Sequence, residues 1–409
     1  MEAAGNERLA RGGAGMDLTT AAMRDVQARE AAATIPVYGQ LPFLPERASG
    51  CELITADGRR ILDLYGGHAV ACLGYAHPGL VRAISQQSKR MLFQSNAVAL
   101  EVRARAAEAL VSVAPSSLTR AFFVNSGAEA NENALRIACT GTGRRKILAV
   151  THGFHGRTAA AAAVTWNAAD SWYGFPMMPF EVDFIPRNDV DAAKRMIDRD
   201  VAAVIFEPVQ GIAGAFGLSP DFVTALRRAT RAEGALLIAD EVQCGMGRSG
   251  QFFAVQVYGI EPDLLTTAKS LGGGIPCAAL LATEYLASQQ KPGDLGTTFG
   301  GGPLAAAAIV AVIDAIREDG LLDNVRQREA QIREHCNTGP VRGIRGMGLL
   351  LGLVCDRPAT EVRAALLQRD ILAGTSADPE VLRLMPPLVL TAGHVDRLAA
   401  ALADIGPRT

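Results

Sequence analysis

Short apolar runs alternate with segments of helical periodicity through the middle of this 409-residue chain. Glu129–Cys139 and Pro220–Ala232 carry apolar residues at helical spacing. The alternation predicts an α/β fold whose mainly parallel sheet has helices on both faces. The predicted strands are continuous apolar runs bounded by turn residues, a pattern typical of strands buried on both faces: AFFV (121–124), KILAV (146–150), AAVIFEP (202–208) and ALLIAD (235–240).

A change of pattern near Pro303 indicates a second domain. There PLAAAAIVAVIDAI begins a helix with proline at its first position, and the apolar segments VRGIRGMGLLLGLV (341–354) and VLRLMPPLVL (381–390) follow. A chain of this length also exceeds what one hydrophobic core usually organises. We therefore predict a large domain and a smaller α+β domain, divided as residues 1–64 (an N-terminal segment that contributes to the small domain), 65–302 (the large domain) and 303–409 (the C-terminal part of the small domain).

Composition and charge argue against several classes of partner. Hydrophobic residues make up 49% of the chain, charged residues 20%, and the formal net charge is −2. Without a long basic or acidic block, there is no electrostatic reason to expect binding to nucleic acid or to a membrane surface. Residues 1–33 lack the apolar core of a secretory signal, and no apolar run reaches the roughly 20 residues of a spanning helix. The scattered cysteines, with no CxxC pair, favour a reducing cytoplasm over a disulfide framework or a zinc site.

A lone charge stands at Lys269 in the run LLTTAKSLGGG (264–274). A lysine among apolar and β-branched neighbours is costly unless it is paired or neutral. It is therefore a structural residue, a side chain that reaches the surface, or a reactive amine. Two carboxylates, Glu207 and Asp240, end predicted strands, which is where ligands bind in open α/β sheets. An isolated aspartate after a strand is, however, more often a helix cap or a turn residue.

The segment NSGAEANENALRIA (125–138) predicts a tight turn followed by a helix. Ser126 and Glu129 fit the spacing of a capping box. The free N–H groups and the positive end of the helix dipole would also form a seat for a phosphate, and the two interpretations are compatible. The glycine-rich run LGTTFGGGP (295–303), with its two threonines, offers further hydrogen-bond donors but is a weak signal by itself.

The motif HGFHGRT (152–158) raises the question of a metal because of its H-x-x-H spacing. Zinc needs at least a third ligand, and the remaining histidines are not grouped nearby. Phe154 and Arg157 suit a flat ring and a carboxylate better, so we expect no metal. A phosphate seat, an aromatic face, a strand-end aspartate and a lone lysine are together what pyridoxal phosphate requires.

In this order and spacing, eight segments resemble the class III pyridoxal-phosphate aminotransferases of fold type I. The resemblance is closest to the acetylornithine and succinylornithine branch, and it runs from about Leu62 to the C-terminus. The segments are LDLYGGHAVACLGYAHP, NSGAEANENALRIA, FHGRT, EPVQG, LIADEVQCGMGRSG, PDLLTTAKSLGGG, TTFGGGPLA and LRLMPPLVL.

The resemblance implies specific roles around the ring of a pyridoxal 5′-phosphate cofactor. Lys269 would bind the cofactor covalently and then move a proton between substrate and cofactor. Asp240 would pair with the ring nitrogen, and Gln243 would hydrogen-bond the phenolic oxygen. Phe154 would stack on one face of the ring, and Val242 would pack on the other.

The resemblance also assigns the phosphate site. Ser126, Gly127 and Ala128 would hold the phosphate from one chain, and Thr298 of the partner subunit would complete the site. A homodimer with shared active sites is therefore implied. Glu207 would support the residues around the cofactor.

Two arginines would select the substrate. Arg157 resembles the residue that clamps the carboxylate remote from the reacting amine, and Arg383 resembles the one that binds the α-carboxylate of glutamate. Taken alone, they would be a helix-end charge and a surface arginine. The chain departs from the family at Ile212, where a glutamate normally pairs with the second arginine, and at Gly302, where asparagine is usual. SNAVALE (95–101) also lacks a tyrosine often found nearby.

The implied activity is transfer of the δ-amino group of N-acetylornithine or N-succinylornithine to 2-oxoglutarate, in arginine biosynthesis. Ile212 leaves other class III substrates open, namely ornithine, 4-aminobutyrate and a carrier-bound aminoadipate semialdehyde. A glutamate-semialdehyde aminomutase, which needs no keto-acid acceptor, is an alternative of another reaction class. A non-catalytic partner protein is a third, opposed by the joint presence of Lys269, Asp240 and Gln243.

Overall fold

The computed structural model describes residues 21–408, and their strands form four sheets. The largest sheet has seven strands, two have four strands each, and the smallest is a two-stranded ribbon. Numbered along the chain, the strands are β1 (Pro45–Ser49), β2 (Glu52–Thr55), β3 (Arg60–Asp63), β4 (Leu118–Val124), β5 (Lys146–Val150), β6 (Glu181–Ile185), β7 (Val201–Phe206), β8 (Val209–Gln210), β9 (Phe216–Gly217), β10 (Leu236–Asp240), β11 (Leu264–Thr267), β12 (Ala278–Thr283), β13 (Val341–Met347), β14 (Leu350–Cys355), β15 (Ile371–Leu372), β16 (Gly374–Thr375) and β17 (Val381–Leu384).

The helices lie mostly between these strands, and a short 3₁₀ helix (Lys269–Gly272) follows β11. Within residues 21–408, no helix combines the length and apolar character needed to cross a membrane. The helices are α1 (21–33), α2 (Gly66–Ala69, one left-handed turn), α3 (Pro78–Arg90), α4 (Glu101–Val111), α5 (Gly127–Thr142), α6 (Ala159–Ala163), α7 (Ala168–Ser171), α8 (Val190–Met196), α9 (Pro220–Glu233), α10 (Ala254–Val257), α11 (Glu284–Ser288), α12 (Pro303–Glu318), α13 (Leu321–His335), α14 (Ala359–Leu367) and α15 (Ala392–Ile405).

The seven-stranded sheet confirms the predicted α/β class. Its strand order is β4-β12-β11-β10-β7-β5-β6, and only β12 runs antiparallel to its neighbours. Successive residues of a strand point to opposite faces. Along β5, Leu148 and Val150 belong to one buried apolar cluster, whereas Ile147 and Ala149 belong to another. Both faces are therefore covered, which explains why this strand is a continuous apolar run.

Two four-stranded sheets accompany the large sheet, and one of them combines strands from both ends of the described chain. β13, β14, β17 and β16 form an antiparallel sheet, whereas β15 adds to β1–β3 by pairing parallel to β3. β15, from the C-terminal part of the chain, thus shares a sheet with the three N-terminal strands. The domain boundaries stay a prediction, and residues 1–20 and 409 lie outside the described range.

Candidate active site

One cavity of about 370 Å³ collects nine of the predicted site residues at one edge of the large sheet. β4, β5, β7, β10 and β11 all run in the same direction, so the segments that follow their carboxyl ends meet at this edge. The residues brought together are Ser126, Gly127, Ala128, Phe154, Glu207, Asp240, Val242, Gln243 and Lys269.

Lys269 is a half-buried amine at the start of the 3₁₀ helix after β11. Within residues 21–408, no carboxylate lies within 4.0 Å of its Nζ. Burial lowers the pKa of Lys269, and the more distant Asp240 and Glu207 oppose this shift only in part. Because a lowered pKa increases the neutral fraction at neutral pH, this amine is suited to attack an electrophilic carbon.

Asp240 ends β10 as a buried carboxylate with three donors around it. His155 Nδ1 lies 2.7 Å from Asp240 Oδ2, and Asn131 Nδ2 donates to the same oxygen at 2.8 Å. The main-chain N–H of Val242 donates to Oδ1 at 3.0 Å. These contacts compensate the burial of the charge and hold the carboxylate in one orientation.

His155 and Asn131 were not identified from the sequence as partners of Asp240. Asn131 also donates to the carbonyl of His155 at 2.7 Å and accepts from Thr266 Oγ1 at 2.6 Å. The only local signal for His155 was its place in the HGFHGRT motif, where the H-x-x-H spacing raised the question of a metal that we did not expect. His152 lies against the Trp166 ring while His155 meets Asp240. Within residues 21–408, no three His, Cys, Asp or Glu side chains are grouped closely enough to hold a metal ion.

The start of α5 has the capping box predicted from the sequence. Ser126 Oγ accepts from the Glu129 N–H at 3.2 Å, and Glu129 Oε2 accepts from the Ser126 N–H at 2.8 Å. Among the described residues, the N–H groups of Gly127 and Ala128 have no acceptor, and both residues line the cavity. A Cβ at Gly127 would lie 2.7 Å from Val242 Cγ1, so glycine is required here. The capping box therefore leaves two main-chain N–H groups unused at this helix end.

Glu207 connects two segments of the cavity wall. Its Oε1 accepts from the Phe154 N–H at 2.8 Å, and its Oε2 accepts from the Gly211 N–H at 3.3 Å. The pKa of Glu207 is raised to about 7, because burial and the nearby Asp240 outweigh the opposing effects of His155 and the two N–H donors. Gln243 packs so closely against Gly211 that a Cβ there would overlap its amide oxygen. The carboxyl group of Glu207 therefore holds both Phe154 and the Gly211 segment that packs against Gln243.

Three predicted residues lie outside this cavity wall. Arg157 is exposed, and Thr298 is exposed on a loop whose neighbour Thr297 accepts from Asn125 Nδ2 at 3.2 Å. Arg383 is only 4% exposed. It donates from Nε to the carbonyl of Thr375 at 2.6 Å and from Nη1 to the carbonyl of Gly211 at 3.2 Å. The alternative that Arg383 is a surface arginine is therefore wrong.

Ile212 lines the cavity on a loop held by the C-terminal part of the chain. Its carbonyl accepts from the Ala377 N–H at 2.9 Å. The flanking carbonyls accept from Arg383 and from Arg345, whose Nε donates to Gly214 at 2.8 Å. The position where the family has a glutamate is thus an apolar wall on a well-anchored loop.

A left-handed turn beside Lys269 was also not predicted from the sequence. Residues 66–69 all have φ between 55° and 70°, although His68 and Ala69 are not glycines. Asp63 Oδ1 accepts from the Tyr65 N–H at 2.8 Å, and Ser270 Oγ donates to the carbonyl of Ala69 at 2.7 Å. The His68 ring contacts the Tyr65 hydroxyl. Burial and the nearby charges of Arg383 and Lys269 lower the pKa of His68. Backbone strain of this kind is typical of functional sites.

Comparison with known proteins identifies the family to which this chain is similar. The sequence model of the family described as "Aminotransferase class-III" matches residues 35–405. The acetylornithine aminotransferase of Corynebacterium efficiens is 40% identical over 378 residues, which cover 90% of this chain and 93% of that protein. The acetylornithine aminotransferase of Methanocaldococcus jannaschii is 36% identical, over 91% of this chain and 95% of its own.

Solved structures show the same fold. An ornithine aminotransferase from Toxoplasma gondii, described with partial occupancy of PLP at its active site, superposes with a TM-score of 0.87 at 26% identity. The match covers 97% of this chain and 98% of that one. A transaminase from the marine bacterium Virgibacillus also reaches a TM-score of 0.87, at 23% identity, over 93% of this chain and 98% of its own.

Proposed function

This chain belongs to the class-III aminotransferases, and we propose that it transfers the δ-amino group of N-acetylornithine, or of N-succinylornithine, to 2-oxoglutarate in arginine biosynthesis. The products are the N-acyl-glutamate semialdehyde and glutamate. The observation that carries the proposal is the cavity itself, where an unpaired amine and a fixed carboxylate stand beside an anion seat. The acetylornithine aminotransferases of two distant organisms, similar over nine tenths of the chain, support the choice of donor.

The residues of the cavity fit pyridoxal phosphate as cofactor. The amide oxygen of Gln243 is buried without a partner among the described residues, as expected of a group that faces a polar ligand. The unused N–H groups of Gly127 and Ala128, with Ser126, would hold the phosphate, and Phe154 and Val242 would enclose the ring. When bound, this cofactor supplies an aldehyde for the amine and a ring that accepts electrons released at the substrate carbon.

Two side chains would carry the chemistry. Lys269, whose pKa is lowered by burial, would accept the proton from the substrate carbon on its Nζ and release it again during the transfer. Asp240, oriented by His155 and Asn131, would keep a negative charge fixed where the ring nitrogen lies, without needing to reorganise during the reaction. Glu207 would keep Phe154 in place.

The two arginines suit a substrate with carboxylates. A guanidinium offers a planar fork of donors that matches a carboxylate bidentately. Arg157, beside the cavity, would bind the carboxylate remote from the reacting amine. Arg383 is buried and, within residues 21–408, hydrogen-bonds only to main-chain carbonyls; it would bind the α-carboxylate of 2-oxoglutarate and glutamate. No carboxylate from the Ile212 loop neutralises Arg383, so other ω-amines such as ornithine or 4-aminobutyrate stay open as alternative donors.

A half-reaction screen tests the choice of donor. Each amine is added to the cofactor-loaded enzyme without keto acid, and the absorption band of the lysine-bound cofactor is followed. We expect N-acetyl- or N-succinylornithine to bleach this band at least about tenfold faster than ornithine or 4-aminobutyrate does. A tenfold ratio of rates corresponds to about 1.4 kcal/mol of free energy. The acyl group that gives the faster bleaching identifies the donor. If another amine bleaches the band while neither acylated ornithine does, the proposed donor is wrong although the transaminase chemistry stands.

We further propose that the active enzyme is a homodimer, with Thr298 of the partner subunit completing the phosphate site. Thr298 is exposed beside an apolar patch, a type of surface that often marks a protein–protein interface. Asn96 joins the two segments of this patch by donating to the carbonyl of Gly300 at 3.1 Å, and Phe93 lies 5.3 Å from Phe299 between ring centroids. The patch consists of Met91, Leu92, Phe93, Val98 and Phe299, each 42–65% exposed.

Replacing Phe299 by glutamate is expected to weaken the dimer about a hundredfold or more, because an unpaired charge would enter its apolar contact. Sedimentation velocity at micromolar concentration should then show a monomer. Val257→Glu is the matched control, because Val257 is 49% exposed at the end of α10. There the neighbouring Gln256 donates to the carbonyl of Val113 at 3.0 Å, just after the C-terminal end of α4, whereas the patch adjoins the N-terminal end of α4. Wild-type sedimentation of the Phe299 variant would contradict the proposed interface.

A further inference from the structure

Arg157 lies beside the cavity without a polar partner of its own. Phe154 and Gly156, which precede it, line the cavity, whereas the Arg157 side chain is exposed. Within residues 21–408, its guanidinium makes no hydrogen bond and no ion pair. It lies instead over the ring of Trp172, with Cζ 4.5 Å from the ring centroid, and 5.9 Å from the ring centroid of Phe154.

This stacking leaves the donors of Arg157 available. A guanidinium over an aromatic ring uses its flat face, because the ring quadrupole attracts the cation from above. Its N–H groups point outward in the plane and remain free to bind a carboxylate with two parallel hydrogen bonds. The face and the edge of one side chain therefore serve two partners at once.

The Trp172 ring stands on a fixed piece of backbone. Trp172 follows α7, and its N–H donates to the carbonyl of Ala168 at 2.9 Å. The next residue, Tyr173, is buried in a small apolar cluster and donates from its N–H to the same carbonyl at 2.8 Å. An arginine that rests on such a surface loses less rotational freedom when a ligand binds, so part of the entropy cost is met before binding.

We infer that Trp172 is a positioning residue that orders Arg157 and thereby sets the selectivity for amino donors with a carboxylate remote from the reacting amine. The inference rests on the proposed role of Arg157. A cation–π contact of about 0.5–2 kcal/mol corresponds to a two- to thirtyfold change in affinity. The effect belongs to KM, because the carboxylate is bound equally in the ground state and in the transition state.

The test compares two donors on cofactor-loaded enzyme. N-acetylornithine carries the remote carboxylate, and N-acetylputrescine is the same amine without it. In Trp172→Leu, we expect kcat/KM for N-acetylornithine to fall about tenfold through KM, whereas kcat/KM for N-acetylputrescine stays unchanged. Trp172→Phe, which restores an aromatic face, should recover most of the loss. If Trp172 had a merely structural role, Trp172→Leu would lower kcat/KM for both donors together.

The outcomes separate the two proposals. If wild type prefers N-acetylornithine and Trp172→Leu keeps the full preference, the inference is overturned while the proposed function stands. If wild type shows no preference between the donors, the role of Arg157 and the inference on Trp172 both fall.

A second measurement does not depend on turnover or on the folding of the leucine variant. The chain has two tryptophans, so in Trp166→Phe the fluorescence comes from Trp172 alone. Titration of this holoenzyme with N-acetylnorvaline, which keeps the carboxylate but lacks the amine, should give a saturable change in fluorescence. Competitive inhibition by N-acetylnorvaline without any change in Trp172 fluorescence would overturn the inference.

Discussion

Replacing Lys269 by alanine is expected to leave pyridoxal phosphate bound and to lower transamination by about a thousandfold or more. The loss follows because Lys269 is the only amine that lines the cavity in residues 21–408, and burial has lowered its pKa for proton transfer. Binding should persist, because the anion seat at α5 and the ring contacts of Phe154 and Val242 do not depend on this side chain.

Absorption spectra and steady-state rates measure both parts of the Lys269 prediction. The variant should still carry the cofactor but lack the band of its lysine-bound form. Added methylamine, a small amine that enters the space left by the side chain, should restore a fraction of the rate. Lys291→Ala is the matched control, because Lys291 is exposed on a loop away from the cavity. Wild-type turnover by Lys269→Ala would end the proposed mechanism.

Replacing Asp240 by asparagine is expected to lower kcat by about a hundred- to a thousandfold, the usual effect of removing one preorganised electrostatic group. The side chain keeps its size but loses its charge. Both oxygens of Asp240 accept hydrogen bonds, from His155 and Asn131 on one side and from the Val242 N–H on the other. An asparagine has a single acceptor oxygen and an NH2 group that can only donate, so the fixed orientation of the group is also lost.

Glu241→Gln is the control for Asp240→Asn, because it removes a neighbouring carboxylate that is equally buried. Glu241 accepts from the Val255 N–H at 2.8 Å and from Cys244 Sγ at 3.0 Å, and it does not line the cavity. We expect this variant to lose about 1–3 kcal/mol of unfolding free energy while keeping kcat within a few fold. Equal losses of kcat in the two variants would show that Asp240 acts through stability and not through charge.

The fold was largely predictable because its signals are local. A parallel strand buried on both faces must be apolar throughout, so β5 and β7 were recognised from their composition alone. The start of α5 was recognised because Ser126 and Glu129 are three residues apart, and the capping box forms at that spacing whatever surrounds it. The meeting of strand ends at one edge then followed from the parallel direction of the strands.

The partners within the site were not predictable in the same way. His155 and Asn131 reach Asp240 across 85 and 109 residues of chain, and no local spacing specifies either contact. The left-handed turn at residues 66–69 is likewise held by Ser270, which donates to the carbonyl of Ala69 across 201 residues of chain. Such hydrogen bonds depend on how the helices and strands pack together.

By itself the sequence determined the alternation of strands and helices, the helix cap, and the kinds of reactive side chain that follow each strand. These properties arise from interactions within a few residues of the chain. Only the tertiary structure decided which donors orient Asp240, that Ile212 is an anchored cavity wall, and that Arg157 rests on Trp172. The reason is physical: burial, pKa and hydrogen-bond partners depend on which distant residues packing brings into contact.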